Sequence, residues 1–310
     1  LARLTRLDAA RGAALLPMAL YHGAWDLSAF GWIETDIAAS PGWTLLARAT
    51  TTAFLFIAGM GLALATREGV GWERALWRVL RIALAAGLVS FATWLFAPAN
   101  MVLFGVLHAI ALGSLLAWPL RRAPAWLLVL LALVAVLLPQ GFRDAAFAAP
   151  GWTWLGLSPE PSTALDHAPL LPWWGWMLLG LAAGRRLPEA EAGAPGALTR
   201  CFGWAGRHSL AIYLLHQPLF IGALMLAAQA MTPGPAALEA AWHQSFRAEC
   251  LLAGEQERTC DAYAACAVER LASHEGLLRA ASRKRMSEAQ RAQFEGALDI
   301  CEMQAAATRR

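Results

Sequence analysis

"RVLRIALAAGLVSFATWLF", residues 78–96, opens on two arginines and carries no charged side chain after Arg81. As a helix rising about 1.5 Å per residue, such a run covers most of the roughly 30 Å apolar thickness of a bilayer. Comparable apolar runs recur along most of residues 10–230, and the whole chain of 310 residues is 58% hydrophobic but only 15% charged. That composition excludes one or two ordinary soluble domains and predicts an integral membrane protein. Seven spans are expected, over residues 10–32, 44–66, 78–97, 101–119, 123–139, 169–184 and 208–230. The fifth and sixth are short, which calls for tilt or local thinning of the bilayer. The first is too long and too polar within to be a cleaved signal peptide and reads as a retained anchor.

The arginines set an orientation. Arg3, Arg6 and Arg11 precede the first span, and Arg67, Arg74, Arg78 and Arg81 lie between the second and third. Arg121 and Arg122 follow the fourth, and Arg185, Arg186, Arg200 and Arg207 lie between the sixth and seventh, whereas the opposite loops hold only Arg48 and Arg143. The positive-inside rule then places the N-terminus in the cytoplasm and the tail outside. The net charge of +3 is thus a topology signal and gives no reason to expect nucleic acid as a partner.

Cysteine usage is an independent check. Cys201 falls in an inner loop, while Cys250, Cys260, Cys266 and Cys301 all fall in the tail. Four cysteines in an oxidising compartment imply two disulfides, with three connectivities open. A zinc site is the rival, but gaps of nine and five residues fit no standard ligand spacing, so no metal is expected.

The fold class expected is therefore all-α: a polytopic transmembrane helix bundle, N-in and C-out, over residues 1–231, followed by a small helical extramembrane tail over 232–310. "TPGP" (232–235) marks the junction. In the tail, Trp242 and Phe246, and Phe294 and Leu298, share helix faces, and Ser287 with Gln290 has capping-box spacing. The inner loop 185–200 has the composition of a linker, and the Trp- and Pro-rich outer loop 140–168 suits the membrane interface. No internal repeat is evident.

Ionisable groups inside the spans are the candidate chemistry. Asp8, Arg11, Leu15, Met18, His22 and Asp26 follow three- and four-residue steps along one helix face. His22 lies roughly 18 Å from the inner end, and Asp26, a turn further out, could orient its ring as a general base or acyl-accepting nucleophile. Packing between helices is the alternative reading of such a histidine. His108, in "FGVLHAIALG" (104–113), falls at a similar depth and is the reserve candidate. "GRHSLAIYLLHQPLF" (206–220) supplies a stripe of Ser209, Tyr213, His216 and Phe220, with Pro218 expected to kink the helix near Leu214. Arg48 sits just inside the outer end of the second span, where snorkelling to the interface is its other reading, and Gly59 and Gly61 are expected to permit close helix packing.

The ordered set "RLDAARGAALLPMALYHGAWDL" (6–27), "FLFIAGMGLALA" (54–65), the opening run, "FGVLHAIALGSLL" (104–116), "APLLPWWGWMLLGLAAG" (168–184) and "GRHSLAIYLLHQPLF" (206–220) resembles the heparan-alpha-glucosaminide N-acetyltransferase catalytic-domain family. The resemblance covers nearly all of residues 6–220 and none of the tail. It implies a membrane acyltransferase that moves an acetyl group from cytosolic acetyl-CoA to a sugar amino or hydroxyl group on the outer face of a bacterial inner membrane. His22, Asp26 and His108 are then the catalytic candidates, and Arg48, Tyr213 and His216 the substrate-binding ones. Arg11, Arg74, Arg78, Arg81 and Arg122 are candidates to hold the CoA phosphates. One departure stands out. The family's eukaryotic lysosomal member has its acetyl-transfer histidine in the lumenal stretch before the second span, and the matching "IAASPGWTLL" here has none. His22 is thus argued from its position in this chain. A proton-coupled transporter or flippase is the rival function, and a scaffold displaying the tail is a third.

Overall fold

The computed structural model describes residues 5–98, 101–149, 151–160, 166–187, 194–230, 234–274, 276–282 and 286–307; Arg3 and the junction at 231–232 lie outside them. These residues are helical and contain no strand. Each expected span corresponds to a helix. They are α1 (Thr5–Ala29), α2 (Pro41–Arg67), α3 (Trp72–Phe96), α4 (Val106–Ala117), α5 (Ala125–Gly141) and α6 (Leu170–Gly184), then, after α7 (Ala197–Arg207), α8 (Ser209–Ala230). α2, α3 and Ser209–Ala228 of α8 are long and apolar enough to cross a bilayer, whereas α4, α5 and α6 are apolar but shorter. α3 begins six residues before its expected start because Glu73 and Arg74 continue the helix into its polar flank. α7 is a helix where the composition of residues 185–200 suggested only a linker, so Cys201 is helical.

α4 is the main correction. Its 12 residues make a rod only about 18 Å long, and residues 101–105 are not helical as the fourth span required. His108 thereby moves from the body of a span into the first turn of a helix.

The chain divides into two compact units, Leu1–Ala19 with Leu45–His216, and Leu20–Thr44 with Gln217–Arg310. In the first unit α5 packs on α6, and α4 on α3 and α6. Leu55, Leu62, Leu128, Met177, Leu178 and Leu181 form its core. α2 and α6 meet backbone to backbone. A Cβ on Gly59 would overlap the carbonyl of Met177, and one on Gly180 the carbonyl of Phe56. Helices in lipid gain most from such close packing, because apolar burial distinguishes little between lipid and protein. Leu84, Leu88, Phe91 and Leu95 leave an apolar stripe exposed along α3, as a lipid-facing surface requires.

The second unit includes the tail helices α9 (Pro235–Leu252), α10 (Glu257–Ala272), α11 (Leu277–Ser282) and α12 (Glu288–Ala307). α10 packs against α9 and α12, around Phe246, Leu271 and Leu277. Trp242 packs against Phe246 at 5.2 Å and meets Phe294 edge-on at 5.6 Å, so the two helix faces meet in one cluster. Ser287 caps α12: its hydroxyl accepts from the Gln290 N–H at 3.2 Å, and Gln290 Oε1 accepts from the Ser287 N–H at 2.9 Å. Of the three connectivities, the chain adopts Cys250–Cys260, joining α9 to α10, and Cys266–Cys301, joining α10 to α12.

Candidate active site

The first unit holds a half-open cavity of about 110 Å³. Its walls are largely apolar, with Phe54 from α2 and Leu107 from α4, but four polar side chains reach it: Arg11, Arg78, Ser209 and Tyr213. α1 is held in place by α7, where glycine spares a clash on both sides. A Cβ on Gly12 would overlap the Phe202 carbonyl, and one on Gly206 the Asp8 carbonyl. One turn along, Asp8 is only 3% exposed and accepts from Arg11 Nη1 at 2.7 Å.

Gly61 does something its sequence context hid. A Cβ there would lie 2.7 Å from Arg11 Nη2 and 3.4 Å from Arg78 Nη2, so the missing side chain makes room for two guanidinium groups rather than for a helix backbone. Among the described residues Arg78 makes no hydrogen bond or ion pair, and the charges acting on it are Arg11 and Arg81, both of its own sign. Like charges in an apolar enclosure are unfavourable unless an anion lies between them. The cavity has room for several waters or a small acyl group beside the two guanidinium groups.

Tyr213 brings a second set of groups to the cavity. Its hydroxyl donates to Asp166 Oδ2 at 2.8 Å, its ring meets Phe54 edge-on at 6.4 Å, and the Val106 N–H donates to the same carboxylate oxygen at 3.2 Å. Asp166 thus satisfies a donor at the start of α4, where a negative charge is favoured by the helix dipole. His108 completes that helix start. Its Nδ1 accepts from the Gly105 N–H at 3.2 Å, which leaves the proton on Nε2, facing Ser90 Oγ at 3.2 Å; Ser90 in turn donates to the Val102 carbonyl at 2.6 Å. With both ring nitrogens committed, His108 anchors the entry to α4 and has no lone pair left for the reserve catalytic role. His216 bonds the Tyr213 carbonyl through Nδ1 at 2.6 Å and meets the Tyr213 ring edge-on at 5.7 Å.

His167 lies beside Asp166 in the loop before α6. Burial pushes its pKa below the usual 6.5, and the neighbouring carboxylate only partly offsets this. A histidine kept neutral when folded takes up protons on unfolding, so stability falls as pH drops below about 6.5. Melting temperatures measured from pH 7.5 to 5 should therefore decline less steeply in His167→Gln than in the wild type; parallel declines would show that His167 is not the linked group.

In the second unit, His22 contacts the Tyr21 ring edge-on at 5.6 Å. Asp26 is 1% exposed, and its Oδ1 accepts from Gln217 Nε2 at 2.7 Å. The expected Asp26–His22 pair is not formed. Gln217 on α8 takes the near oxygen, and Asp26 Oδ2 and Gln217 Oε1 have no partner among the described residues. Arg48, Arg74, Arg81 and Arg122 are exposed and do not reach the cavity, so of the five arginines grouped as one set only Arg11 and Arg78 converge. Asp166 and Gln217 escaped the sequence reading. The first sits in a loop whose tryptophans suggested an interface, and the second follows a histidine that drew the attention.

An all-helical chain with, among the described residues, three helices long and apolar enough to cross a bilayer has the character of a membrane protein. Residues 3–218 match the family described as heparan-alpha-glucosaminide N-acetyltransferase, catalytic, and the chain belongs to that family. The match ends inside α8 and leaves the disulfide-bonded tail uncovered. No curated protein and no solved structure matches the chain.

Proposed function

We propose that this chain is a membrane acetyltransferase that takes acetyl from acetyl-CoA on the cytoplasmic side and delivers it to a sugar amino or hydroxyl group on the opposite side. Family membership supports the reaction class, and the arginine asymmetry supports seven crossings with the N-terminus inside. Residues 1–231 form the catalytic membrane domain and 232–310 a periplasmic tail at a bacterial inner membrane, a placement favoured by its two disulfides.

The observation that carries the reading is the guanidinium pair over Gly61. As an acceptor attacks the thioester, the thioester carbonyl oxygen becomes negative, and two preorganised cations reaching the same largely apolar cavity stabilise that charge. Arg11 and Arg78 are thus assigned to the thioester carbonyl, because both guanidinium groups reach the same largely apolar cavity. Arg74, Arg81 and Arg122, exposed on α3 and beside α4, are left for the CoA phosphates. In this orientation Arg11, Arg78, Ser209 and Tyr213 lie near the inner ends of α1, α3 and α8, whereas Val106 starts a helix entering from the other face. Donor and acceptor thereby meet from opposite sides. Asp26, whose Oδ2 has no partner among the described residues, and His22 are acceptor-side candidates within the second unit, and Arg48 is a separate one within the first.

Full-length protein in vesicles, supplied with acetyl-labelled acetyl-CoA and glucosamine, should place label on the amine. Absence of label above a protein-free control, with both glucosamine and total membrane glycans as acceptors, would end this reading.

A further inference from the structure

We infer that Tyr213 removes the acceptor's proton, with Asp166 as the positioning residue that receives it through the phenol. The inference rests on the acetyltransferase reading above. Tyr213 lines the cavity and is bonded to a carboxylate through a group that can give up its proton: its own hydroxyl hydrogen is committed to Asp166 Oδ2 at 2.8 Å. A phenol whose hydrogen points away at an acid presents its lone pairs, and not its proton, to whatever occupies the cavity.

The geometry keeps that polarity fixed. Phe54 holds the ring from its edge, and the Val106 N–H ties Asp166 to the start of α4. Gly105 allows this approach, since a Cβ there would lie 2.5 Å from Asp166 Oδ2. Asp166 lies within electrostatic range of His108, His167 and His216, so three imidazoles surround the one acid that backs the phenol. His108 is committed to Gly105 and Ser90, and His216 to the Tyr213 carbonyl. Tyr213 is therefore the link in this network that opens on the cavity shared with Arg11 and Arg78.

The step balances without a further reagent. The acceptor's nitrogen or oxygen lone pair forms a bond to the thioester carbonyl carbon, the C–S bond breaks, and its electron pair leaves on sulfur. The acceptor's proton passes to Tyr213 Oη as the phenol proton passes to Asp166. Reversal of both transfers delivers the proton to the departing sulfur, giving CoA thiol, acetylated acceptor, and the starting phenol and carboxylate.

The test uses full-length protein in detergent with labelled acetyl-CoA and glucosamine. Tyr213→Phe and Asp166→Asn should each lower kcat about 10²–10⁴-fold, the usual weight of general base catalysis. The KM for acetyl-CoA should stay within about twofold, and the double variant should be no slower than Tyr213→Phe alone, as for groups acting as one unit. A merely structural role for Asp166 would instead raise KM and lower the melting temperature. If Asp166→Asn fails to fold because α4 loses its cap, Tyr213→Phe, which keeps the ring against Phe54, decides the matter alone. A Tyr213→Phe protein with kcat within about threefold of an active wild type would overturn the inference and leave the acetyltransferase reading standing. A wild type that transfers no label overturns both.

Discussion

Arg78→Leu is expected to lower acetyl transfer by about 10²–10³-fold, the loss measured when one preorganised donor is taken from an oxyanion site. The same substitution should leave the melting temperature unchanged or raise it. Those two signs together are the diagnostic result. Arg78 makes no hydrogen bond or ion pair among the described residues and faces Arg11 and Arg81, so removing its charge relieves repulsion and breaks nothing that holds the fold. The leucine continues an apolar cavity wall that already includes Ile82 and Leu210. Arg11→Leu should differ in sign for stability, because it removes the 2.7 Å ion pair to Asp8, a carboxylate only 3% exposed. Labelled acetyl transfer and thermal melts on the two variants check this directly. A stable, fully active Arg78→Leu protein would remove the guanidinium pair from the mechanism.

Loss of the Cys266–Cys301 bridge is expected to be the most damaging change in the tail. Closing a loop of 35 residues removes about 4 kcal/mol of unfolded-chain entropy, and the 10-residue Cys250–Cys260 loop about 3. The apolar core available to offset such a loss is small. Ala264, Ala267 and Ala297 contribute alongside Phe246 and Leu271, and alanines bury little area. Cys266→Ser with Cys301→Ser in the full chain should therefore raise the open fraction of α10–α12 about 1,000-fold, read as the rate of limited proteolysis within residues 257–307. Cys250→Ser with Cys260→Ser should have the lesser effect. Equal cleavage rates in wild type and both variants would show that helix packing alone suffices.

The positions of seven helices were legible in the chain because apolar run length is a local property. Residues 44–66 anticipated Pro41–Arg67, and residues 169–184 anticipated Leu170–Gly184. Parts of the tail were equally legible: the Trp242–Phe246 pair and the Ser287 cap both follow from three- and four-residue spacing, whereas the Phe294 contact is tertiary. α4 was less so. Its apolar run continues upstream of Val106, but the Gly105–His108 bond starts the helix late, and hydropathy carries no trace of that.

The candidate site divided along the same line. Arg11 and Arg78 stood out as charges at the ends of apolar runs, yet nothing in their spacing joined them to each other or separated them from Arg74, Arg81 and Arg122. Their meeting depends on the missing side chain at Gly61, on a third helix. Asp26 was singled out correctly as a costly buried acid, but its partner proved to be Gln217, which lies 191 residues away. Tyr213 stood within a recognisable stripe, while Asp166 was an ordinary loop acid until folding carried it to the start of α4.

Sequence by itself determined the helical, membrane-directed character of this protein, its family and the oxidisable tail, since hydropathy, motif order and cysteine placement are written along one dimension. Tertiary structure alone decided which charges face each other across the cavity, which cysteines pair and which histidine nitrogens are already engaged. Those outcomes depend on distances of about 3 Å between helices remote in the chain, and a hydrogen bond or ion pair exists only where such an approach has been made.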